Sequence, residues 1–268
     1  MLRAAMLITL LISYLTLPIA WAENDDLHGD WNTLLQAHVT AVDDGKATVV
    51  NYRGMSQDHN NLSRYLRALS AVSPEQFDAW SREDQMAFLI NAYNAWTVDL
   101  ILTAWPNLKS IKDLGSLFRS PWSKKFIELL GETRSLDNIE HDLLRDAERY
   151  QDPRIHFAVN CASIGCPALR PEAYVGTKLD EQLNDQMRLF LSDRHRNRLE
   201  GNTLKLSAIF KWYREDFEKG WLGFHRLEDF VAANAVALGL DSASVTRIND
   251  GQIALTFLDY DWRLNQSP

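Results

Sequence analysis

The stretch Gln85-Met86-Ala87-Phe88-Leu89-Ile90-Asn91-Ala92-Tyr93-Asn94-Ala95-Trp96-Thr97-Val98-Asp99-Leu100-Ile101-Leu102 has helical composition but no stripe. A surface helix shows apolar residues at three- and four-residue spacing, whereas here Met86 to Ile90 follow one another without a polar break and Val98, Leu100, Ile101 and Leu102 continue around the helix. A helix over about residues 85–105 is therefore expected to be central and buried, with Pro106 ending it. Ser81 followed by Asp84 supplies a capping pair just upstream, and Ser73-Pro74-Glu75-Gln76 offers a capping residue, a proline at the first helical position and a glutamine at the third. Further out, Asp30 to Thr40 and Leu62 to Val72 carry helical spacing, with the valine-rich Ala47 to Tyr52 between them as a short strand.

Downstream, helix and strand signals alternate. Lys125 to Leu130, stopped by Gly131, is expected to be a strand, and Ser135 with Asn138 to Glu140 opens a helix running to about Ala147. Arg154 to Val159 is a candidate strand leading into the small-residue loop Asn160-Cys161-Ala162-Ser163-Ile164-Gly165-Cys166-Pro167. Thr177 to Ser192 is a helix with Thr177 as its cap, and Arg198 to Leu206 is a hairpin about Gly201-Asn202. Ala208 to Glu218 and Leu227 to Leu238 are amphipathic helices, and Asn249-Asp250-Gly251 turns the chain into a strand over Ile253 to Trp262. No repeat or linker divides the chain. The expected fold is a single α+β domain over residues 23–268, helix-rich in its N-terminal half, with a small, mainly antiparallel sheet from the C-terminal half.

The 268 residues are 46% hydrophobic and 24% charged, which excludes a disordered chain. A formal charge of -8 argues against nucleic acid, whose phosphates are held by clustered Lys and Arg. Residues 1–22 have the form of a secretory signal: Arg3, an apolar run from Ala4 to Leu17, and the small-x-small Ala20-Trp21-Ala22. The apolar run rises roughly 21 Å, short of a hydrocarbon core about 30 Å thick, so cleavage after Ala22 is expected in place of a membrane anchor. The mature chain is then periplasmic or secreted, with no membrane span.

Several segments carry a resemblance. Ala87 to Ala95 (AFLINAYNA), Ser135 to His141 (SLDNIEH), Arg154 to Cys161 (RIHFAVNC), Cys166-Pro167 and Tyr260 to Asn265 (YDWRLN) resemble, in order, the family called domain of unknown function 547, over about residues 60–265. The resemblance implies an often exported bacterial protein with no established activity. It also implies a distant similarity to transglutaminase-like and papain-like architecture, in which a central helix precedes a strand carrying histidine. The helical position where those enzymes keep cysteine falls nearest Asn91 or Asn94.

Candidate chemistry centres on His156, Asn160, Cys161 and Cys166. If residues 154–159 form a strand, alternation places His156 and Asn160 on one face. Two readings follow. With only two cysteines, five positions apart in an exported chain, a Cys161–Cys166 disulfide pins the loop and leaves a binding cleft. Alternatively one thiol attacks a carbonyl, with His156 as base and Asn160 steadying the oxyanion, a hydrolase or acyl transferase. Asn91 and Asn94 in the apolar helix must be hydrogen-bonded or line a cleft. Glu140, His141, Arg154, Lys211 and Tyr213 complete the candidate ligand-binding set, Lys211 and Tyr213 in an aromatic and charged cluster with Trp212, Arg214 and Asp216. No paired metal-ligand spacing, glycine-rich phosphate loop or dinucleotide fingerprint is present, so neither metal nor cofactor is expected. The expected partner is an unidentified ligand or protein.

Overall fold

Ser81 starts the central helix: its hydroxyl accepts from the Asp84 amide, and Glu83 and Asp84 lie in the first turn where the helix dipole favours negative charge. In the computed structural model, which describes residues 27–116, 119–146 and 148–268, the expected signal segment 1–22 lies outside the described residues. Helices α1 (Gly29–His38), α2 (Tyr52–Gln57) and α3 (His59–Ser70) precede a short α4 (Pro74–Asp78) and the long α5 (Arg82–Leu102). The capping box at Ser73 and Gln76 forms as expected. Met86 through Ala95 on α5 are all buried, packed among α3, the segment 138–144 and α6 (Leu179–Ser192). Trp31 of α1 stacks on Tyr65 of α3 with centroids 5.9 Å apart, closing this first core.

Among the described residues the strands form three small sheets. β1 (Val39–Val42) pairs antiparallel with β2 (Ala47–Val50), and β3 (Ile127–Leu129) with β4 (Glu132–Arg134). β5 (Arg198–Glu200) and β6 (Thr203–Leu206) make the hairpin expected at Gly201, whose φ is +59°. β7 (Ala254–Phe257) then joins β6 in parallel, Thr203 opposite Ala254. A parallel neighbour requires a long crossover, and residues 207–253 supply it with helices α7 (Ile209–Trp212), α8 (Leu227–Ala233), α9 (Ala235–Leu238) and α10 (Ser242–Asn249). These pack around a second core of Phe157, Phe190, Phe210, Phe217 and Phe230. The architecture is α+β.

Several local expectations are corrected. Residues 153–157 form a 3-10 turn, not a strand: the Asp152 carboxylate accepts from the Arg154 amide, Pro153 opens the turn, and the Ala158 amide donates to Ile155. His156 therefore does not share a strand face with Asn160, and the helix-then-strand order implied by transglutaminase-like architecture is not found at this histidine. The turn lies between the two cores, with Ile155 in the first and Phe157 in the second. α6 begins at Leu179 behind a 3-10 turn and has no side-chain cap, so Thr177 does not cap it. The helix expected over 208–218 ends at Trp212 and continues as a 3-10 turn, Arg214–Phe217. The one over 227–238 breaks at Asn234, and α10 is additional. Residues 258–262 leave the sheet and run along the Cys161–Cys166 loop, the Asp261 carbonyl accepting from Gly165.

Candidate functional site

Six parts of the chain converge on a cleft of about 210 Å³: α5 through Tyr93, Trp122, residues 137–141, the turn and loop 156–167, residues 209–213, and residues 260–262. Its size is below the roughly 300–1,000 Å³ of pockets for drug-sized ligands, so it suits a small molecule or one side chain of a larger one.

The floor is set by an unusual helix. Asn138–Leu144 is wound as a π-helix, the Arg145 amide donating to the Glu140 carbonyl five residues back at 3.0 Å. Ser135 and Asn138 cap it reciprocally, each amide donating to the other's side chain at 3.1 Å. The wide turn buries Glu140 and leaves His141 half-exposed. The Tyr93 and Tyr213 hydroxyls interact with the Glu140 carboxylate; burial first, and then that charge, raise both hydroxyls well above the ordinary tyrosine range.

His156 is held from behind. Its Nε2 lies 2.7 Å from Oδ2 of Asp216, and both side chains are buried. Asp216 also accepts from Arg145 at 2.6 and 3.0 Å and pairs with Lys219 at 2.7 Å. Burial alone would raise the Asp216 carboxyl, but the hydrogen bonds from His156 and Arg145 outweigh it and hold the group far below the usual carboxylate range. Burial pushes the His156 imidazole down against the opposing pull of Asp216. A neutral ring donating from Nε2 leaves Nδ1 as a lone pair, and that atom has no hydrogen-bond partner. Tyr213 stacks on the ring at 3.9 Å, and Arg145 also donates to Nδ1 of His141 at 2.9 Å.

Cys161 and Cys166 form the expected disulfide. The Tyr260 hydroxyl sits 3.2 Å from Cys161 Sγ and donates to Cys166 Sγ at 3.0 Å, making the disulfide part of one wall. Trp212, Tyr260 and Trp262 form the facing aromatic cluster, with centroids 4.5 to 5.6 Å apart, and Trp122 meets Trp262 edge-on at 5.7 Å.

Of the candidates from sequence, Glu140, His141, His156, Cys161, Cys166 and Tyr213 line the cleft. The others do not. Asn91 exchanges two hydrogen bonds with the Tyr174 backbone, and Asn94 joins the Ala158 carbonyl to the Asn160 amide. Asn160 holds the loop internally, donating to the Pro167 carbonyl and accepting from the Ala162 amide, which leaves no oxyanion role in this geometry. Arg154 is engaged by Asp152, Asp180 and Asn184, and Lys211 is exposed outside the cleft. Sequence reasoning missed the pairing of Asp216 with His156 across 60 residues, and the roles of Trp122, Tyr260 and Trp262. The alternation Tyr260-x-Trp262 was a usable signal, since extended chain sends both rings to one side. Among the described residues no group of three or more His, Cys, Asp or Glu is arranged to hold a metal ion, and no helix is long and apolar enough to cross a membrane.

Residues 77–191, which include α5, the π-helix, the His156 turn and the disulfide loop, match the model of a family described as Protein of unknown function, DUF547. Over these residues the chain is similar to that family. The match stops short of the 212–213 and 260–262 aromatics, so the family segment contributes the floor and the disulfide wall while the rest of the chain contributes the facing rings. No curated protein and no solved structure matches this chain.

Proposed function

We propose that this protein is an exported single domain, released by cleavage after Ala22, that binds a small ligand or one projecting side chain of a partner in the cleft between the π-helix and the Trp212–Trp262 cluster. The observation that carries this reading is the pairing of a buried carboxylate, Glu140, with a wall of indole and phenol rings that includes Trp212, 46% exposed. A large aromatic left open to solvent at the mouth of a concave site is costly unless something covers it, and such rings dominate recognition energetics. Thiolate chemistry has no support here, because both sulfurs are bonded to each other and His156 directs its Nε2 to Asp216.

The test is a ligand-observed NMR screen of chemically diverse small molecules against the full mature chain and its Trp212→Ala variant. Binders that are lost in Trp212→Ala are expected. A screen whose every binder is indifferent to Trp212→Ala would overturn the cleft as the binding site.

A further inference from the structure

The cleft lining carries two carboxylates, Glu140 and Asp137, and among the described residues no lysine or arginine. Glu140 is 5% exposed and, among the described residues, makes no ion pair; its visible partners are the two tyrosine hydroxyls. A carboxylate has about four lone-pair sites, and one withdrawn from water is stabilised best by a cation. The remaining polar groups do not supply one. Tyr260 gives its hydroxyl to the disulfide, and Asp137 adds a second carboxylate to the lining. Arg145, the nearest guanidinium, is spent on Asp216 and His141.

The walls carry the same sign. Indole and phenol faces are negative, and they attract ammonium groups that approach within about 6 Å of the ring centroid. The cluster already attracts one from its own chain: Nζ of Lys112 stands 3.7 Å from the centroid of Trp262.

We infer that the cleft takes an organic ammonium ion, with its N–H groups directed to Glu140 and its alkyl chain against the Trp212 and Trp262 rings. The inference rests on the cleft being the binding site and adds the charge class of its ligand. A free amine and the side-chain amine of a lysine share this chemistry, and the small probe n-butylammonium represents both.

The experiment is isothermal titration of the full mature chain at low salt with n-butylammonium, 1-butanol and methyl glucoside, followed by n-butylammonium with Glu140→Gln. The ammonium should bind at least about tenfold more tightly than either neutral probe, and Glu140→Gln should weaken it by a similar factor, the scale of a desolvated charge contact. Nα-acetyl-lysine amide against its Nε-acetylated form then separates a free amine from a lysine side chain. Equal or tighter binding of a neutral probe overturns the ammonium assignment and leaves the cleft standing, as does ammonium binding indifferent to Glu140→Gln but lost in Trp212→Ala. Ammonium binding indifferent to both substitutions places it elsewhere and overturns the assignment; absence of ammonium binding overturns it too. The comparison of charged with neutral probes uses the unaltered protein, so it decides the question even if Glu140→Gln fails to fold.

Discussion

Asn94 and His156 are both buried, and they belong to two polar networks built on opposite rules. In the first, Asn91, Asn94 and Asn160 spend their amides on backbone groups, and Asn265 accepts from Tyr52 and donates to Asn160, at 2.7 to 3.5 Å. In the second, around His156 and Glu140, among the described residues an imidazole nitrogen has no hydrogen-bond partner and a buried carboxylate makes no ion pair. Satisfied amides hold segments together: α5 to residues 158–160, and the loop to the C-terminal segment. Incomplete satisfaction costs stability and persists in natural proteins chiefly where function requires it. The first network has the form of a scaffold, and the second lines the candidate site.

The largest expected effect tests whether the site is also anchored to the scaffold. Asp216 is the centre of the second network, fully buried under His156, Arg145 and Lys219. Asp216→Asn should cost about 3 to 5 kcal/mol near neutral pH in denaturant unfolding, because breaking a buried pair strands the remaining charges. The sign with pH follows from its depressed carboxyl: the stabilisation is full above the ordinary value of 3.8 and is lost as pH falls below it, so variant and wild type should converge in acid. A cost under about 1 kcal/mol would mean that the His156 network is a surface feature in energetic terms.

A second, smaller effect separates the two cores by their histidines. His28, hydrogen-bonded to Tyr65 at 2.7 Å in the first core, is pushed down by burial to about 4 from an ordinary 6.5. The folded state keeps it neutral where the unfolded chain takes a proton, so its contribution is full above pH 6.5 and falls away between 6.5 and 4, by about 3 kcal/mol in all. His156 is depressed in the same direction. In unfolding free energies measured from pH 7 to 4, His28→Gln should reduce the wild-type slope between pH 6.5 and 4 by its own share and leave that of His156. An unchanged slope would show that His28 does not stay neutral in the folded protein.

Asn160→Ala comes next, at about 2 to 3 kcal/mol, since it leaves the Ala162 amide and the Pro167 carbonyl without their partner inside the fold. Hydrogen exchange should rise at Ala162 while α5 stays protected. A loss that spreads to α5 would show that the loop and the helix unfold together.

How much of this was legible in the sequence differs between the two networks for a physical reason. The scaffold was visible locally. The unstriped run from Met86 to Leu102, the Ser73 and Ser81 caps and the Gly201 turn each act within a few residues, and each was found where expected. Asn91 and Asn94 were recognisable as amides that needed partners, although the partners themselves, Tyr174 and Ala158, lie 83 and 64 residues away. The site depends on such distant meetings throughout. Asp216 reaches His156 only because the helix after Ala208 breaks at Tyr213, and Tyr260 meets the disulfide only because the chain leaves β7 at Phe257. The misread strand at 154–159 has a simple cause as well: Ile155, Phe157 and Val159 alternate as a strand would, but Asp152 and Pro153 set a turn.

The disulfide belongs to both networks, and removing it is the sharpest division between them. One side of its loop is pinned by Asn160, and its sulfurs touch Tyr260 on the cleft wall. Closing so short a ring limits the unfolded chain only modestly, so Cys161→Ser with Cys166→Ser should cost about 2 kcal/mol on the chain-entropy account, the smallest effect in this series. Tyr260 would lose its two sulfur contacts while the amide network kept the loop in place. The expected outcome is a protein that unfolds at somewhat lower denaturant with an unchanged slope, and whose tryptophan fluorescence is altered because Trp212 and Trp262 stack about Tyr260. If instead the variant fails to fold while Asn160→Ala folds, the covalent link and not the amide network holds the loop, and the division between scaffold and site must be redrawn with the disulfide on the scaffold side.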